Sequence, residues 1–295
     1  RVVSMGGGIL GCAVACHRTK LVWTEVGLRE RKQLTSGTTW HAAGLMAQLR
    51  ASANMTRLAK YSQELYGDLE AETGVATGFK RCGSITVALT EERREEIFRS
   101  AAMARAFGVD VEEIGPDDVK ARYPHLNTDG VTGGVYLDKD GQGDPGNIAL
   151  ALAKGARQRG AQIFERVKVT KALRSGRRVT GVAYTADDGT EGEITCDHVV
   201  NCAGMWGRAV GAMAGVSVPL QAIENAYLIS EPFGLSADIP IFEDPDRFSN
   251  YREEYVGPIV GLFEPVAAPW PLDRIPDNFS FGQIPSHWDR PAPPL

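Results

Sequence analysis

Three glycines near the amino end have the spacing of a dinucleotide-binding turn. Gly6, Gly8 and Gly11 follow a short apolar segment, and Glu30 comes nineteen residues after the last of them. Such glycines allow a tight turn and a close approach of the backbone to a pyrophosphate, which the amino end of the next helix favours. A carboxylate at this distance binds ribose hydroxyls and repels a 2′-phosphate. The pattern therefore predicts a bound dinucleotide other than NADP.

A loop of small residues with one histidine follows the acidic residue. Residues 36–45 read Ser-Gly-Thr-Thr-Trp-His-Ala-Ala-Gly-Leu, and small side chains let a backbone pass close to a ligand. His41 lies eleven residues beyond Glu30 and has a side chain that titrates near neutral pH. We predict that this loop reaches toward the reactive end of the dinucleotide, while a packing role for His41 stays open from the residues alone.

Two further candidates come from weaker patterns. Residues 199–204 read Val-Val-Asn-Cys-Ala-Gly, an apolar strand that ends in small residues. In a doubly wound sheet the ligand lies beyond the carboxyl ends of the strands, so Ala203 and Gly204 are candidates for contact with the dinucleotide. A plain strand-to-helix turn is equally consistent with this spacing. Arg50 is a candidate for binding a substrate carboxylate through its planar fork, although most arginines are simply exposed.

Local patterns predict the elements that would position these residues. A strand at 2–5, a helix at 9–19 and a strand at 26–30 form a βαβ beginning, which implies an α/β fold with a parallel sheet. Gly27 and Arg29 fit an inner parallel strand poorly, because such strands are usually apolar throughout. Further helices are predicted at 53–72, from Thr90 to 108, at 147–159 and at 205–214. Short strands and turns are predicted over 109–146, a small antiparallel meander at 162–164, 167–169, 179–184 and 192–195, and mostly strands beyond 218.

Composition excludes several classes of protein. The chain has 295 residues and a formal net charge of -5, and it has no basic stripe of the kind that nucleic-acid-binding proteins use. No apolar run approaches the roughly 18 to 20 residues that a membrane span requires. Its five cysteines are scattered without a paired Cys-x-x-Cys arrangement, which favours free thiols in a reducing compartment over a disulfide framework or a metal site.

The loop from Leu34 to Leu45 resembles the flavin loop of the dimethylglycine and sarcosine dehydrogenases and oxidases, which belong to the amino-acid-oxidase-like FAD superfamily. Its specific part is the run Thr-Trp-His-Ala-Ala-Gly at 39–44. The resemblance extends along the whole chain, with supporting segments at 69–74, 82–85, 138–145, 199–206 and 227–232. It implies a Rossmann-like FAD-binding domain (1–50 and 145–217) interleaved with a substrate domain built on an antiparallel sheet (51–144 and 218–295).

The resemblance also implies roles for individual positions. His41 matches the histidine that carries FAD covalently through its 8α-methyl group. Ile9 and Leu10 match turn residues at the pyrophosphate, and Val169 matches the position whose backbone meets the adenine. Glu30 and Arg31 match the region around the adenosine ribose. The flavin side is lined by Gly37, Thr38, Thr39, Trp40, His41, Gly44 and Leu45.

The implied activity is FAD-dependent oxidation of a small N-methyl amino acid such as sarcosine or dimethylglycine. FAD takes a hydride equivalent from an N-methyl carbon, and oxygen or an electron carrier then receives the electrons. The resemblance leaves the amine, the acceptor and the use of folate open. Such proteins occur in bacterial cytoplasm and in mitochondria, so we expect a cytoplasmic protein, or a mitochondrial matrix protein if the source is a eukaryote.

Two departures from the family pattern put catalysis in doubt. Asn225 stands where many members have a histidine near the substrate, and Asn250 stands where a tyrosine is common, with Tyr251 adjacent. Because asparagine is neither an acid nor a base near neutral pH, a flavin-fold regulatory protein that has lost catalysis is one alternative. An NAD-dependent dehydrogenase is another, but it leaves the loop around His41 unexplained.

Overall fold

The computed structural model describes residues 1–254, 257–263 and 265–285. In this part of the chain the α-helices are α1 (Ile9–Lys20), α2 (Ala53–Thr73), α3 (Glu91–Ala106), α4 (Pro116–Arg122), α5 (Pro145–Gln158) and α6 (Gly207–Met213). Short 3-10 helices lie at Gly204–Trp206 and Leu272–Arg274.

The β-strands are numbered in chain order. The first nine are β1 (Val2–Met5), β2 (Val26–Arg29), β3 (Leu45–Met46), β4 (Lys80–Arg81), β5 (Ser84–Ala88), β6 (Glu112–Ile114), β7 (Gly133–Leu137), β8 (Gly141–Gln142) and β9 (Gln162–Phe164). The others are β10 (Val167–Ser175), β11 (Arg178–Ala186), β12 (Glu191–Thr195), β13 (His198–Asn201), β14 (Ala226–Ile229), β15 (Ile241–Asp244), β16 (Ser249–Glu254) and β17 (Gly257–Leu262).

A parallel sheet with the order β13–β1–β2–β9 carries the predicted dinucleotide turn. All four residues of β1 are buried, as expected of an inner strand covered on both faces. Val2 packs with α1 and α5 in one hydrophobic cluster, while Val3 and Met5 pack with the antiparallel β10–β11–β12 meander on the other face. The predicted α/β fold with a parallel sheet is confirmed.

The prediction of β9 as part of the meander was wrong. β9 pairs in parallel with β2, with Leu28 opposite Ile163. A short turn at Gly160 connects α5 to β9. The packing of α5 on the sheet therefore places β9 beside β2. The same pairing explains Arg29, whose guanidinium lies 4.1 Å from the centre of the Phe164 ring. Arg29 is therefore accommodated by cation–π contact rather than by an apolar neighbour.

A seven-stranded sheet with the order β14–β17–β16–β15–β5–β7–β6 forms the second layer. It joins strands from 84–137 with strands from 226–262, and β15 pairs in parallel with β5 while the remaining pairs are antiparallel. Residues 116–122 were expected to lack a helix, and this was wrong. Pro116 lies in the first turn of α4 and is followed by Asp117 and Asp118. Proline and acidic residues both favour the amino end of a helix.

Helix α2 packs against α5, on the layer of the parallel sheet. The Ser52 side chain accepts the Met55 N–H at its start, and Gly74 closes it with a φ of 68°. Leu65 and Leu69 belong to the same buried cluster as the parallel sheet and α5, although α2 falls in the region assigned to the substrate domain. The domain division remains a prediction. No helix in the described ranges is long and apolar enough to cross a bilayer.

Candidate functional site

The glycine turn leaves no room for side chains at its three key positions. Gly6 has a φ of 107°, and a Cβ there would overlap the Cys202 carbonyl oxygen. A Cβ on Gly11 would overlap the Gly6 carbonyl oxygen, and one on Gly8 would lie 2.9 Å from Thr39 Oγ1. The turn runs directly into α1 at Ile9. Backbone alone therefore forms this surface, as a bound pyrophosphate requires.

Glu30 directly follows β2 and lies beside this turn. Its Oε2 accepts the Gly7 N–H at 2.6 Å, and its Oε1 accepts the Lys32 N–H at 2.8 Å. Burial raises the pKa of the Glu30 carboxyl, and the hydrogen bonds from Lys32 and Gly7 oppose that rise. A carboxylate has about four lone-pair sites, so Glu30 keeps capacity for two hydroxyl donors such as those of a ribose.

A first cavity of about 420 Å³ lies over the turn and Glu30. It brings together twelve of the predicted cofactor-binding residues: Gly6, Gly8, Ile9, Leu10, Glu30, Arg31, Gly37, Thr38, Thr39, Val169, Ala203 and Gly204. Gly11 lies beneath the turn, where it contacts Gly6. Thr39 joins the loop to the turn, since its Oγ1 accepts the Ile9 N–H at 3.0 Å.

Sequence patterns missed the segment that closes this cavity, residues 270–281, which we call the closing segment. Leu272, Ile275, Asp277 and Phe279 line the cavity from that side. Arg31 links the two walls, because its guanidinium lies 4.4 Å from the Trp206 ring centre and donates to the Asp277 carbonyl at 2.7 Å. A partner more than 200 residues away leaves no local signal in a sequence.

A second cavity of about 370 Å³ lies between residues 36–45, which we call the histidine loop, and the seven-stranded sheet. Trp40 and His41 line one side of it. The sheet contributes Tyr227, Ile229, Arg252, Glu254 and Ile259, and the remaining lining residues are Ala42, Ala43, Gly78 and 142–145. This cavity adjoins the part of the loop that the sequence assigns to the reactive end of the cofactor.

Several buried polar atoms around the second cavity lack a hydrogen-bond partner among the described residues. They are Trp40 Nε1, His41 Nε2, Gln142 Oε1 and Arg252 Nε. Burial also lowers the pKa of His41, so its imidazole is neutral near pH 7. Since buried polar atoms are nearly always hydrogen-bonded, these atoms point to a polar group that completes the site.

The end of the histidine loop is fixed by a buried carboxylate. Gly44 has a φ of 73° and accepts the Gly143 N–H at 3.1 Å, and Leu45 pairs with Gln142 in β8. Asp140 then accepts the Gln48 N–H at 2.9 Å and the Ser84 hydroxyl at 2.6 Å, so it ties the loop to β5. Burial raises the pKa of the Asp140 carboxyl. No local sequence pattern predicts the role of this residue, because its partners lie far away along the chain.

The predicted substrate residues lie in different places. Asn250 is buried on β16, packed against Gly261, and lies on the same face of the strand as Arg252. Tyr251 is on the opposite face, with its ring 5.5 Å from that of Phe242. Asn225 and Arg50 are exposed, and an Arg50 Nη donates to the Leu49 carbonyl at 3.1 Å. The structure brings none of the four into the lining of either cavity.

Comparison with known proteins gives a single family. A family model described as DAO, FAD dependent oxidoreductase, matches residues 1–264. Among curated proteins, the 4-methylaminobutanoate oxidase (formaldehyde-forming) of Paenarthrobacter nicotinovorans is 38% identical over 99% of this chain and 35% of its own length. Human mitochondrial sarcosine dehydrogenase is 37% identical over 98% of this chain and 31% of its own.

Two other matches bear on fold and activity. The mouse mitochondrial regulatory subunit of pyruvate dehydrogenase phosphatase is 36% identical over 90% of this chain and 30% of its own length. The crystal structure of L-proline dehydrogenase from P. horikoshii superposes with a TM-score of 0.81 at 25% identity, over 88% of this chain and 68% of that one. The chain spans about a third of the length of the curated relatives it matches.

Proposed function

The chain belongs to the DAO family of FAD-dependent oxidoreductases, and on that basis we propose that the protein oxidises a small N-methyl amino acid with FAD. The observation that carries the proposal is the second cavity, which His41 of the histidine loop lines together with Arg252 and Glu254 of the seven-stranded sheet. The 4-methylaminobutanoate oxidase and the sarcosine dehydrogenase share this substrate chemistry by their names.

The residues of the first cavity suit the adenosine and pyrophosphate part of FAD. The glycine turn would approach the pyrophosphate through backbone, and Glu30 would accept hydrogen bonds from the ribose. Val169, Ala203 and Gly204 line the same space. The loop then leads from Gly37 to Leu45, along which the flavin would reach the second cavity.

His41 suits covalent attachment of the flavin. Its Nε2 is buried without a hydrogen-bond partner among the described residues, and its lowered pKa keeps the ring neutral. A neutral imidazole has one nitrogen with a free lone pair, and that nitrogen is a nucleophile. We propose that in His41 this is Nε2 and that it would hold the flavin at the 8α carbon, so that the tether would keep the cofactor between the two cavities. The new bond would replace one C–H bond of the 8-methyl group, with the proton leaving to solvent and the two electrons passing to the flavin ring.

When bound, FAD supplies the acceptor for a hydride equivalent from the carbon next to the substrate nitrogen. The protein's own residues have to orient that carbon and limit the access of water. Asn250 on β16 is buried outside the lining of both cavities, and its amide cannot take a proton near pH 7. The proposal therefore assigns no proton transfer to this position.

Anaerobic flavin reduction tests the proposal. We expect sarcosine, dimethylglycine or 4-methylaminobutanoate to bleach the flavin absorbance of the full-length protein, and hydrolysis of the oxidised amine to release one formaldehyde for each flavin reduced. Failure of all three to reduce the flavin would contradict the proposal and favour the non-catalytic, regulatory alternative.

A further inference from the structure

The wall of the second cavity carries one charge of each sign. Arg252 and Glu254 are two residues apart on β16 and therefore on the same face of the strand. An Arg252 Nη lies 2.5 Å from Glu254 Oε2, and the two side chains are only 12% and 22% exposed. Withdrawal of charges from water is costly unless they are paired, so the two side chains hold each other in the wall.

The Arg252 guanidinium still has an unused donor. Its Nε is buried and has no acceptor in the part of the chain that the structure describes. A guanidinium presents five N–H groups in a planar fork that fits a carboxylate at two points. Arg252 also lines the cavity, so its N–H groups outside the pair with Glu254 can donate to an acidic ligand while that pair stays in place.

Among the described residues of this lining, no other side chain carries a positive charge near pH 7. Asp144 caps α5, where its carboxylate accepts the Asn147 N–H at 2.8 Å and the Asn147 side-chain amide at 3.2 Å. His41 is neutral because of its lowered pKa. Tyr227, Ile229 and Ile259 present a mostly apolar surface. A ligand in this cavity therefore meets one cation, Arg252, with Glu254 beside it.

We propose that Arg252 and Glu254 form a clamp for a zwitterion, in which Arg252 binds the substrate carboxylate and Glu254 accepts a hydrogen bond from the substrate ammonium. A ligand with both charges adds a partner to each side chain while their own ion pair stays in place, whereas a ligand with one charge adds a partner to only one of them. The clamp rests on the proposed function. It also replaces the exposed Arg50 as the residue that recognises the carboxylate.

Three ligands of similar shape separate the two halves of the clamp. Sarcosine carries both charges, sarcosine methyl ester carries only the ammonium, and methoxyacetate carries only the carboxylate. In full-length protein with FAD, anaerobic reduction gives an apparent Kd for the two amines, and competition gives an inhibition constant for methoxyacetate. We expect the native protein to prefer sarcosine to its methyl ester by roughly 10- to 100-fold, the range typical of a hydrogen-bonded charge.

The variants have opposite expected effects. Arg252→Met should abolish the preference for sarcosine over its methyl ester, and Arg252→Lys should keep part of it because the charge remains but the fork is lost. Glu254→Gln should abolish the preference for sarcosine over methoxyacetate and leave carboxylate recognition intact. Arg57→Met, on the exposed face of α2, is the matched control and should change neither ratio.

The outcomes distinguish this inference from the proposed function. If sarcosine reduces the flavin but a folded, flavin-loaded Arg252→Met or Arg252→Lys variant keeps the native preference, the clamp is wrong and the proposed function stands. If no N-methyl amino acid reduces the flavin, the proposed function fails. The change in flavin absorbance on methoxyacetate binding then still tests the clamp: its loss in Arg252→Met supports it, and native affinity in that variant overturns it.

Discussion

Glu30 and His41 use their hydrogen-bonding capacity very differently. Both oxygens of Glu30 already accept backbone N–H groups, which fix the carboxylate against the glycine turn. His41 Nε2 has no partner in the described part of the chain. The first residue is thus preorganised to bind, while the second is kept neutral and unengaged, which is what a nucleophile requires.

We expect Glu30→Gln to weaken FAD binding roughly 10- to 100-fold, because the amide loses charge-assisted hydrogen bonds worth about 1.5–3 kcal/mol. The dissociation constant is measured by flavin fluorescence in the His41→Ala background, so that covalent attachment does not mask it. Glu95→Gln, on the exposed face of α3, is the control. Unchanged affinity in Glu30→Gln would place the ribose elsewhere.

We expect the rate of covalent flavin attachment to be level at high pH and to reach half of that value only below about pH 6.5. Burial lowers the pKa of His41, so its reactive neutral form persists below the ordinary value of about 6.5. The same shift destabilises the fold as pH falls below about 6.5, since the unfolded chain then binds the proton first. In-gel fluorescence during reconstitution of apoprotein gives the rate, and a rate already halved above about pH 6.5 would contradict the lowered pKa.

Among the elements, the closing segment is held in place by aromatic and backbone contacts. Phe279 packs against Trp206 and Trp270 with ring centres 6.2 and 5.4 Å apart. The Phe281 N–H donates to the Ser36 carbonyl at 2.9 Å, which anchors the segment to the loop that carries His41. The segment therefore covers the first cavity and contacts the start of the histidine loop.

Removal of an aromatic side chain from the closing segment should speed the release of FAD. We expect Phe279→Ala to raise the FAD dissociation rate about tenfold in the His41→Ala background, because the loss of a largely buried aromatic ring opens one wall of the cavity. Stopped-flow recovery of flavin fluorescence measures the rate. Phe233→Ala removes an equally large ring that is 56% exposed and outside both cavities, and should leave the rate unchanged. Equal rates in both variants would mean that the closing segment does not retain the cofactor.

Over the whole molecule, the features that the sequence predicted are those encoded locally. The glycine turn, Glu30 and the first helix lie within 30 residues, and their types alone specify a strand–turn–helix. The pairing of β9 with β2 and the lining of the second cavity depend on contacts between distant segments. Arg252 and Glu254 look like two ordinary charges of an exposed strand, and only the packing of residues 40–43 and 142–145 against β16 makes them walls of a cavity.

In the proposed function, the two cavities share one flavin that is tethered at His41. The most direct test is a denaturing gel of the full-length protein viewed for flavin fluorescence, with His41→Ala in the next lane. We expect a fluorescent band for the native protein and a dark band for the variant, which should still bind FAD without a covalent bond. A dark native band from a yellow protein, or a band that stays fluorescent in His41→Ala, would contradict attachment at this residue.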